Sequence, residues 1–165
     1  MNKELINKNI LNELETKEFL ENITNNTFLS DCVKEFYEER TIENYIYLCE
    51  VLSYRDVYIC GANFNEEEKR FDDILTCQLS VSSIPGVSEE VICVYSDPTK
   101  INFEEIGCNI VGVTTLRDIF STYFKDETFH GIIINVHDEQ IPVPYRFIKL
   151  ILDNKIKDLR NLILC

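Results

Sequence analysis

The stretch that decides the fold is EVICVYSDP, residues 90–98. Four consecutive apolar residues, from Val91 to Val94, predict a strand that is buried on both faces and is therefore central in its sheet. Asp97 can then cap a helix, and Pro98 suits the first helical position because its φ angle is fixed. A strand that passes directly into a helix is typical of a sheet covered by helices.

The same alternation continues on both sides of this stretch. Upstream, short apolar runs predict a hairpin-like pair of strands at residues 57–60 and 74–81, joined by a polar, acidic connection over residues 63–73. Downstream, residues 110–113 and 131–135 predict two further strands, each followed by a helix. We therefore predict an α/β (α+β) fold in which a mixed central sheet of about five strands is covered by helices.

The N-terminal third of the chain predicts helices. Apolar residues recur at helical spacing between residues 2 and 25, and again in two stripes between Phe28 and Leu52. No linker rich in Gly, Ser or Pro divides these helices from the sheet, which favours one folding unit. The predicted domain spans residues 1–165, with an N-terminal helical part over 1–54 and the mixed sheet with helices over 55–165.

Charge is the strongest compositional feature. The 165 residues include 16 Lys and Arg against 29 Asp and Glu, which gives a formal net charge of −13 at pH 7. A negative field of this size repels phosphate backbones and anionic membrane surfaces, so we expect no nucleic-acid partner and no membrane partner. The charge leaves two explanations open, a basic protein partner or simple solubility, and solubility is the commoner reason for such a charge.

The seven cysteines predict free thiols in a reducing compartment. Their number is odd, and their positions lack the short paired spacings of a disulfide scaffold or a zinc ribbon. Most have apolar neighbours, among which cysteine behaves as a small hydrophobe. The charged N-terminus has no signal-peptide core, and no apolar run approaches the roughly 18 residues of a membrane span. We therefore predict a cytoplasmic protein.

Three segments carry a resemblance to a known family. Residues 29–61 combine two apolar helices with a strand, residues 91–97 continue a strand into a cap, and residues 131–135 place Asn after a glycine and an apolar strand. This order resembles the SseB-like family, the enhanced-serine-sensitivity proteins. The chain departs from the family pattern at Cys60-Gly61, at Tyr95-Ser96 and at Val136. The resemblance implies an α/β fold and a bacterial cytoplasmic protein with no established catalytic activity, and it supplies no catalytic residues.

Motifs for cofactor chemistry are missing from the sequence. The five glycines are scattered singly, which excludes the phosphate-binding and dinucleotide-binding glycine motifs. His130 and His137 flank a predicted strand and are too few for a zinc site, which needs three or four converging ligands. We therefore predict no cofactor and no metal. A Cys/His-dependent enzyme stays as an alternative. Cys60 and Cys93 lie in apolar strands, where burial raises the pKa of a thiol and makes it a weaker nucleophile.

One group of residues forms a candidate crevice. If the strands at 91–95, 110–113 and 131–134 run parallel, their carboxyl ends bring together polar side chains where open α/β sheets bind ligands. The residues are Asp97, Thr114, Asn135 and His137. The alternative is that they are two helix caps and two turn formers.

A second group forms a candidate partner surface in the acidic connection. Its residues are Glu66, Glu67, Glu68, Asp72 and Asp73. Such a cluster is either a solvated loop or a dock for a basic protein. Residues 146–160 form the one locally basic patch, and a homo-oligomer held by the acidic surface of a neighbouring copy is an alternative use for it.

The function that these observations favour is a non-enzymatic protein-interaction or accessory module of the SseB-like kind. The first alternative is an acidic immunity- or inhibitor-like protein that binds a basic toxin or nuclease, because a net charge of −13 speeds association with a basic partner. The second alternative is the Cys/His-dependent enzyme.

Overall fold

The computed structural model describes residues 5–7, 28–80, 86, 88–108, 110–125 and 128–164. The helices are α1 (Phe28–Glu38), α2 (Ile42–Leu52), α3 (Phe103–Ile106), α4 (Leu116–Tyr123), α5 (Tyr145–Leu152) and α6 (Ile156–Leu164), with a 3-10 helix at Pro98–Lys100. The strands are β1 (Leu5–Asn7), β2 (Asp56–Gly61), β3 (Phe64–Asn65), β4 (Arg70–Phe71), β5 (Thr76–Ser80), β6 (Ser88–Val94), β7 (Ile110–Thr115), β8 (Gly131–Ile134) and β9 (Ile141–Pro144).

Seven of the described strands form two sheets, which backbone bridges join. One sheet has the order β5-β6-β8-β9, in which β6 and β8 are parallel and the other pairs are antiparallel. The other has the order β1-β7-β2 and is wholly antiparallel. Tyr58 of β2 and Tyr95 after β6 exchange backbone hydrogen bonds of 2.9 and 2.8 Å, and Gly61 of β2 bridges to Ile74 just before β5. The predicted α+β class with a mixed sheet is confirmed.

The strand that decides the fold is buried on both faces, as predicted. Alternate residues of β6 point to opposite sides, so Ile92 and Val94 belong to one apolar cluster while Val91 and Cys93 belong to the other. Helices α1, α2, α4, α5 and α6 cover the larger cluster. Ile101, with Phe103 and Ile106 of α3, covers the smaller cluster.

The prediction of a helix over residues 2–25 is wrong where the structure describes that range. Leu5–Asn7 form strand β1, which pairs with β7 in the register Leu5 to Gly112 and Asn7 to Ile110. The open edge of β7 offers backbone hydrogen-bond partners to β1, and the apolar spacing of residues 2–25 gives no sign of this pairing. Residues 2–4 and 8–25 lie outside the described ranges.

The predicted hairpin of residues 57–60 with 74–81 is also wrong. Strand β2 pairs with β7 and β5 pairs with β6, and among the described residues of the two predicted partners the link is a single bridge at Gly61 and Ile74. The polar connection between them contains a hairpin of its own, β3–β4, in which Phe64 lies opposite Phe71. Strand β9, with the sequence Ile-Pro-Val-Pro, forms the edge of the sheet beside β8.

Within the described ranges, every helix is too short or too polar to span a bilayer.

Candidate functional site

Buried polar side chains gather where β6 and β8 end. The buried polar or charged side chains of the described chain are Ser96, Asp97, Thr114, Asn135 and Glu139. All except Thr114 meet at one place, which we call the polar junction; its further members are Ser30, Thr99 and Lys100. Parallel pairing of β6 with β8 produces this meeting, because it brings the carboxyl ends of both strands to the same edge.

Asn135 is the centre of the polar junction. Its backbone has a φ of 54°, a left-handed conformation that Asn tolerates better than most residues. The side-chain carbonyl accepts the Ser96 N–H at 3.0 Å, and the side-chain NH₂ donates to the Ser96 hydroxyl at 2.9 Å and to Glu139 Oε2 at 3.0 Å. The amide therefore links the end of β6 to the turn that follows β8.

Asp97 ties a helix to the same edge of the sheet. Its side chain accepts the Thr99 N–H at 2.8 Å and so caps the 3-10 helix, as the sequence predicts. The Ser30 hydroxyl of α1 donates to the Asp97 carboxylate and lies 2.7 Å from the Ser96 hydroxyl. Three separate segments of the chain therefore meet at the polar junction.

Lys100 compensates the negative charge of the β8–β9 turn. Its ammonium donates to Asp138 Oδ2 at 2.8 Å and to Glu139 Oε1 at 2.9 Å. Burial by itself would lower the pKa of Lys100, but its hydrogen bonds to these two carboxylates and their charges hold that pKa above its usual value. The side chain of Glu139 is only 5% exposed, so this ion pair supplies the counter-charge that a buried carboxylate needs.

The predicted crevice is only partly assembled. Asp97 and Asn135 come together through Ser96, but both are buried. His137 lies at the surface, with its Nδ1 3.3 Å from Glu105 and its ring stacked 6.2 Å from that of Tyr95. An open cleft of about 480 Å³ lies above the junction and is lined by residues including Thr99, Lys100, His137 and Asp138.

Thr114 does not line this crevice. Strand β7 runs in the same direction as β6, but β2 lies between them, and Thr114 faces Val57 of β2. Thr114 instead lines a small separate cavity together with Ile59, Phe71 and Tyr123. Asp97 and Asn135 bond to neighbouring residues instead: Asp97 accepts from the Ser30 hydroxyl and the Thr99 N–H, and Asn135 bonds to Ser96 and Glu139. These bonds hold the chain in place, as in the cap-and-turn alternative raised from the sequence.

The predicted partner surface lies on the turn of the β3–β4 hairpin and on the two residues that follow β4. The side chains of Glu66, Glu67, Glu68, Asp72 and Asp73 are all exposed. Asn65 shapes the turn, because its side-chain oxygen accepts the N–H groups of Glu67 and Glu68, each at 3.0 Å. We call the β3–β4 hairpin, together with Asp72 and Asp73 after it, the acidic hairpin.

Strand β4 anchors the acidic hairpin to the body of the protein. Phe71 is 1% exposed, and its N–H donates to the Tyr123 hydroxyl at 2.8 Å. Gly61 makes room for the Phe71 ring, since a Cβ at that position would lie 2.3 Å from Phe71 Cδ1. Arg70 turns inward, where it donates to the Thr122 carbonyl at 3.1 Å and lies 5.0 Å above the Tyr123 ring.

The described cysteines are free, and their surroundings favour the protonated thiol. Desolvation raises the pKa of Cys49 and of Cys60 to about 12, and it raises the pKa of Cys93 further. The half-buried Cys77 and Cys108 also have raised pKa values. A nucleophilic cysteine needs a lowered pKa, so these thiols are poor nucleophiles. The described residues contain no group of three or more His, Cys, Asp or Glu side chains arranged to hold a metal ion.

A groove that the sequence did not predict lies on the helical side of the sheet. It has a volume of about 580 Å³ and is bounded by α1, α2, β9, α5 and α6. Its lining residues are Phe36, Arg40, Thr41, Ile42, Tyr45, Ile141, Pro142, Pro144, Arg146, Phe147, Leu162 and Ile163. We call it the aromatic groove. The sequence feature nearest to this groove is the Ile-Pro-Val-Pro segment, whose two prolines line it.

The comparisons with known proteins give no relative for this chain: no family model, no curated protein and no solved structure matches it. The resemblance to the SseB-like family therefore stays a prediction from the sequence.

Proposed function

We propose that this protein is a non-enzymatic interaction module that binds a basic protein partner through the acidic hairpin. The proposal includes the sequence-based predictions of an SseB-like relationship and of a cytoplasmic location. It rests on one observation, which is that the hairpin is anchored so that its acidic side chains face solvent while its arginine faces the protein.

The anchoring of the hairpin supports binding because it reduces the entropy lost on association. A surface loop that becomes ordered on binding loses conformational entropy, whereas a surface that is already ordered loses little. Here the buried Phe71 ring and the Tyr123 hydroxyl hold β4 before any partner arrives. The acidic side chains are thus displayed on a fixed backbone.

The charge of the hairpin supports a basic partner over an apolar one. Lys69 lies on the same turn but pairs with Glu66 at 3.1 Å, and Arg70 is directed inward. The remaining exposed carboxylates add to the field of a chain whose net charge is −13. Such a field accelerates encounter with a positively charged protein. At about 0.1 M salt, the field is screened beyond a distance of about 10 Å.

The immunity- or inhibitor-like alternative specifies the partner as a basic toxin or nuclease. The same rigid hairpin favours it, because a preformed acidic projection suits a concave basic active site. One observation distinguishes the two proposals: under the inhibitor-like alternative, the bound partner is an enzyme that loses its activity in the complex. The Cys/His-dependent enzyme is not proposed, because burial raises the thiol pKa values.

The test compares the full chain with a variant carrying Glu66→Gln, Glu67→Gln and Glu68→Gln. Both are used as bait in lysate at low and moderate salt, and the affinity of each captured protein is then measured with purified components. We expect a basic partner that binds the variant at least about tenfold more weakly at low salt. A variant with Glu35→Gln, Glu38→Gln and Glu39→Gln on and just after α1 controls for net charge. Equal affinities for the wild-type chain and the hairpin variant would refute the proposal.

A further inference from the structure

The aromatic groove carries a row of three rings with an arginine at each end. The rings of Phe36 and Tyr45 are 5.2 Å apart, and those of Tyr45 and Phe147 are 6.0 Å apart. The Arg40 guanidinium lies 5.9 Å from the Phe36 ring, and that of Arg146 lies 5.2 Å from the Phe147 ring. These five side chains come from α1, the loop after it, α2 and α5, so only the folded chain assembles the row.

The charge of the groove is opposite to that of the whole molecule. The chain has 29 acidic residues, yet none of the described residues that line the groove is acidic. Arg40 and Arg146 are exposed, and neither forms an ion pair within the described part of the chain. A guanidinium that lies on an aromatic ring keeps its donors available for a carboxylate.

The composition of the groove is that of a protein-binding surface. Aromatic residues and arginine are enriched at interfaces and supply most of their binding energy, whereas acidic residues and lysine are depleted there. Leu162 and Ile163 extend the apolar wall beside the rings. The groove has a volume of about 580 Å³ and is open to solvent, which leaves room for a segment of a partner.

The edge of the sheet decides between a strand and a helix as that segment. Strand β9 borders the groove, but Pro142 and Pro144 have no N–H group to donate to an added strand. The carbonyl of Pro142 already accepts the Tyr45 hydroxyl at 2.9 Å. An added strand would therefore find few backbone partners, whereas a helix satisfies its own backbone and binds through side chains.

We propose that the aromatic groove binds an amphipathic helix of a partner protein that carries carboxylates at both ends of its apolar stripe. Phe36, Tyr45 and the edge of the mostly buried Phe147 line the groove, so the apolar stripe of a helix can lie against this wall. Acidic residues one turn before and one turn after this stripe then reach Arg40 and Arg146. This surface is separate from the acidic hairpin and takes a partner of opposite charge.

The test selects peptides from a phage-displayed library of random sequences, using the full chain with the three hairpin Gln substitutions so that basic peptides are not retained. We expect the selected peptides to have apolar residues at helical spacing, flanked by Asp or Glu. Their affinity, measured by fluorescence anisotropy with synthetic peptides, should fall at least about tenfold when Arg40→Gln and Arg146→Gln are combined.

The controls separate charge, shape and folding. Lys149→Gln removes a cation from the same helix as Arg146 without touching the groove, and it should leave affinity unchanged. Arg40→Lys with Arg146→Lys keeps the charge but loses the planar donors, so it should give an intermediate affinity. Both arginines are exposed, and an unchanged melting temperature of each variant shows that it folds.

Four results would overturn the proposal. They are a failure to select any peptide, selection of peptides without acidic residues, equal affinity for the wild-type chain and the Arg→Gln variant, and self-association of the chain that the Arg→Gln variant abolishes. The last result would identify a second copy as the occupant of the groove. The first three results leave the hairpin experiment unaffected.

Discussion

Asn135→Asp is the sharpest test of how the polar junction holds the fold together. The substitution keeps the shape of the side chain and its tolerance of the left-handed backbone, but it replaces the donating NH₂ with an oxygen. That oxygen would face Glu139 Oε2 across the 3.0 Å that the hydrogen bond now spans. Two ionised carboxylates cannot share such a site, so the pKa of the introduced carboxyl must rise in the folded protein.

The magnitude follows from linkage between protonation and folding. A rise of about three pKa units above the unfolded value of about 3.9 costs about 4 kcal/mol of stability at pH 8. Because the folded-state pKa is raised, stability is retained below the unfolded pKa and is lost as the pH rises to the folded pKa. The loss should therefore be smaller at about pH 5.5, near 2 kcal/mol.

Urea unfolding followed by circular dichroism measures both values. The wild-type chain at each pH is the reference, and Asn135→Ala is the control, because it removes the same hydrogen bonds without adding a charge. We expect the control to lose stability equally at both pH values. A loss for Asn135→Asp that does not change between about pH 5.5 and about pH 8 would refute the reasoning.

Three further predictions concern the hairpin anchor, the buried ion pair and the thiols. Gly61→Ala should lower the free energy of unfolding by about 1–3 kcal/mol, because its Cβ would lie 2.3 Å from Phe71, and urea unfolding would detect it; an unchanged stability contradicts the close approach. Lys100→Met should cost about 2 kcal/mol near neutral pH, since it strips the counter-charge from a buried carboxylate, and the raised pKa of Lys100 keeps its contribution intact until the pH passes about 10. Mass spectrometry after brief alkylation of the native chain should find Cys77 modified before the buried Cys93, and the reverse order would contradict the burial of Cys93.

The central strand and its cap could be predicted because their causes are local. A continuous apolar run is buried on both faces wherever helices cover a sheet, and Val91 to Tyr95 are buried as expected. Asp97 and Pro98 produce the cap through their own side-chain and ring geometry, and Thr41 caps α2 in the same way. Such features need only neighbours a few residues away.

The short strands could not be predicted because their partners are distant in sequence. Strand β1 depends on the free edge of β7, more than a hundred residues further along the chain. The β3–β4 ladder depends on Gly61, which admits the Phe71 ring, and on Tyr123, whose hydroxyl accepts the Phe71 N–H. No periodicity within residues 63–73 carries that information.

The candidate sites divide in the same way. The sequence alone determined that Glu66, Glu67 and Glu68 are exposed, since a run of charged side chains has no stable place but the surface. Only the tertiary structure decided that Asp97 and Asn135 share a polar junction while Thr114 stands apart, because strand order sets which strand ends are neighbours. The aromatic groove is the extreme case: its residues lie between positions 36 and 163 and converge only when five elements pack together.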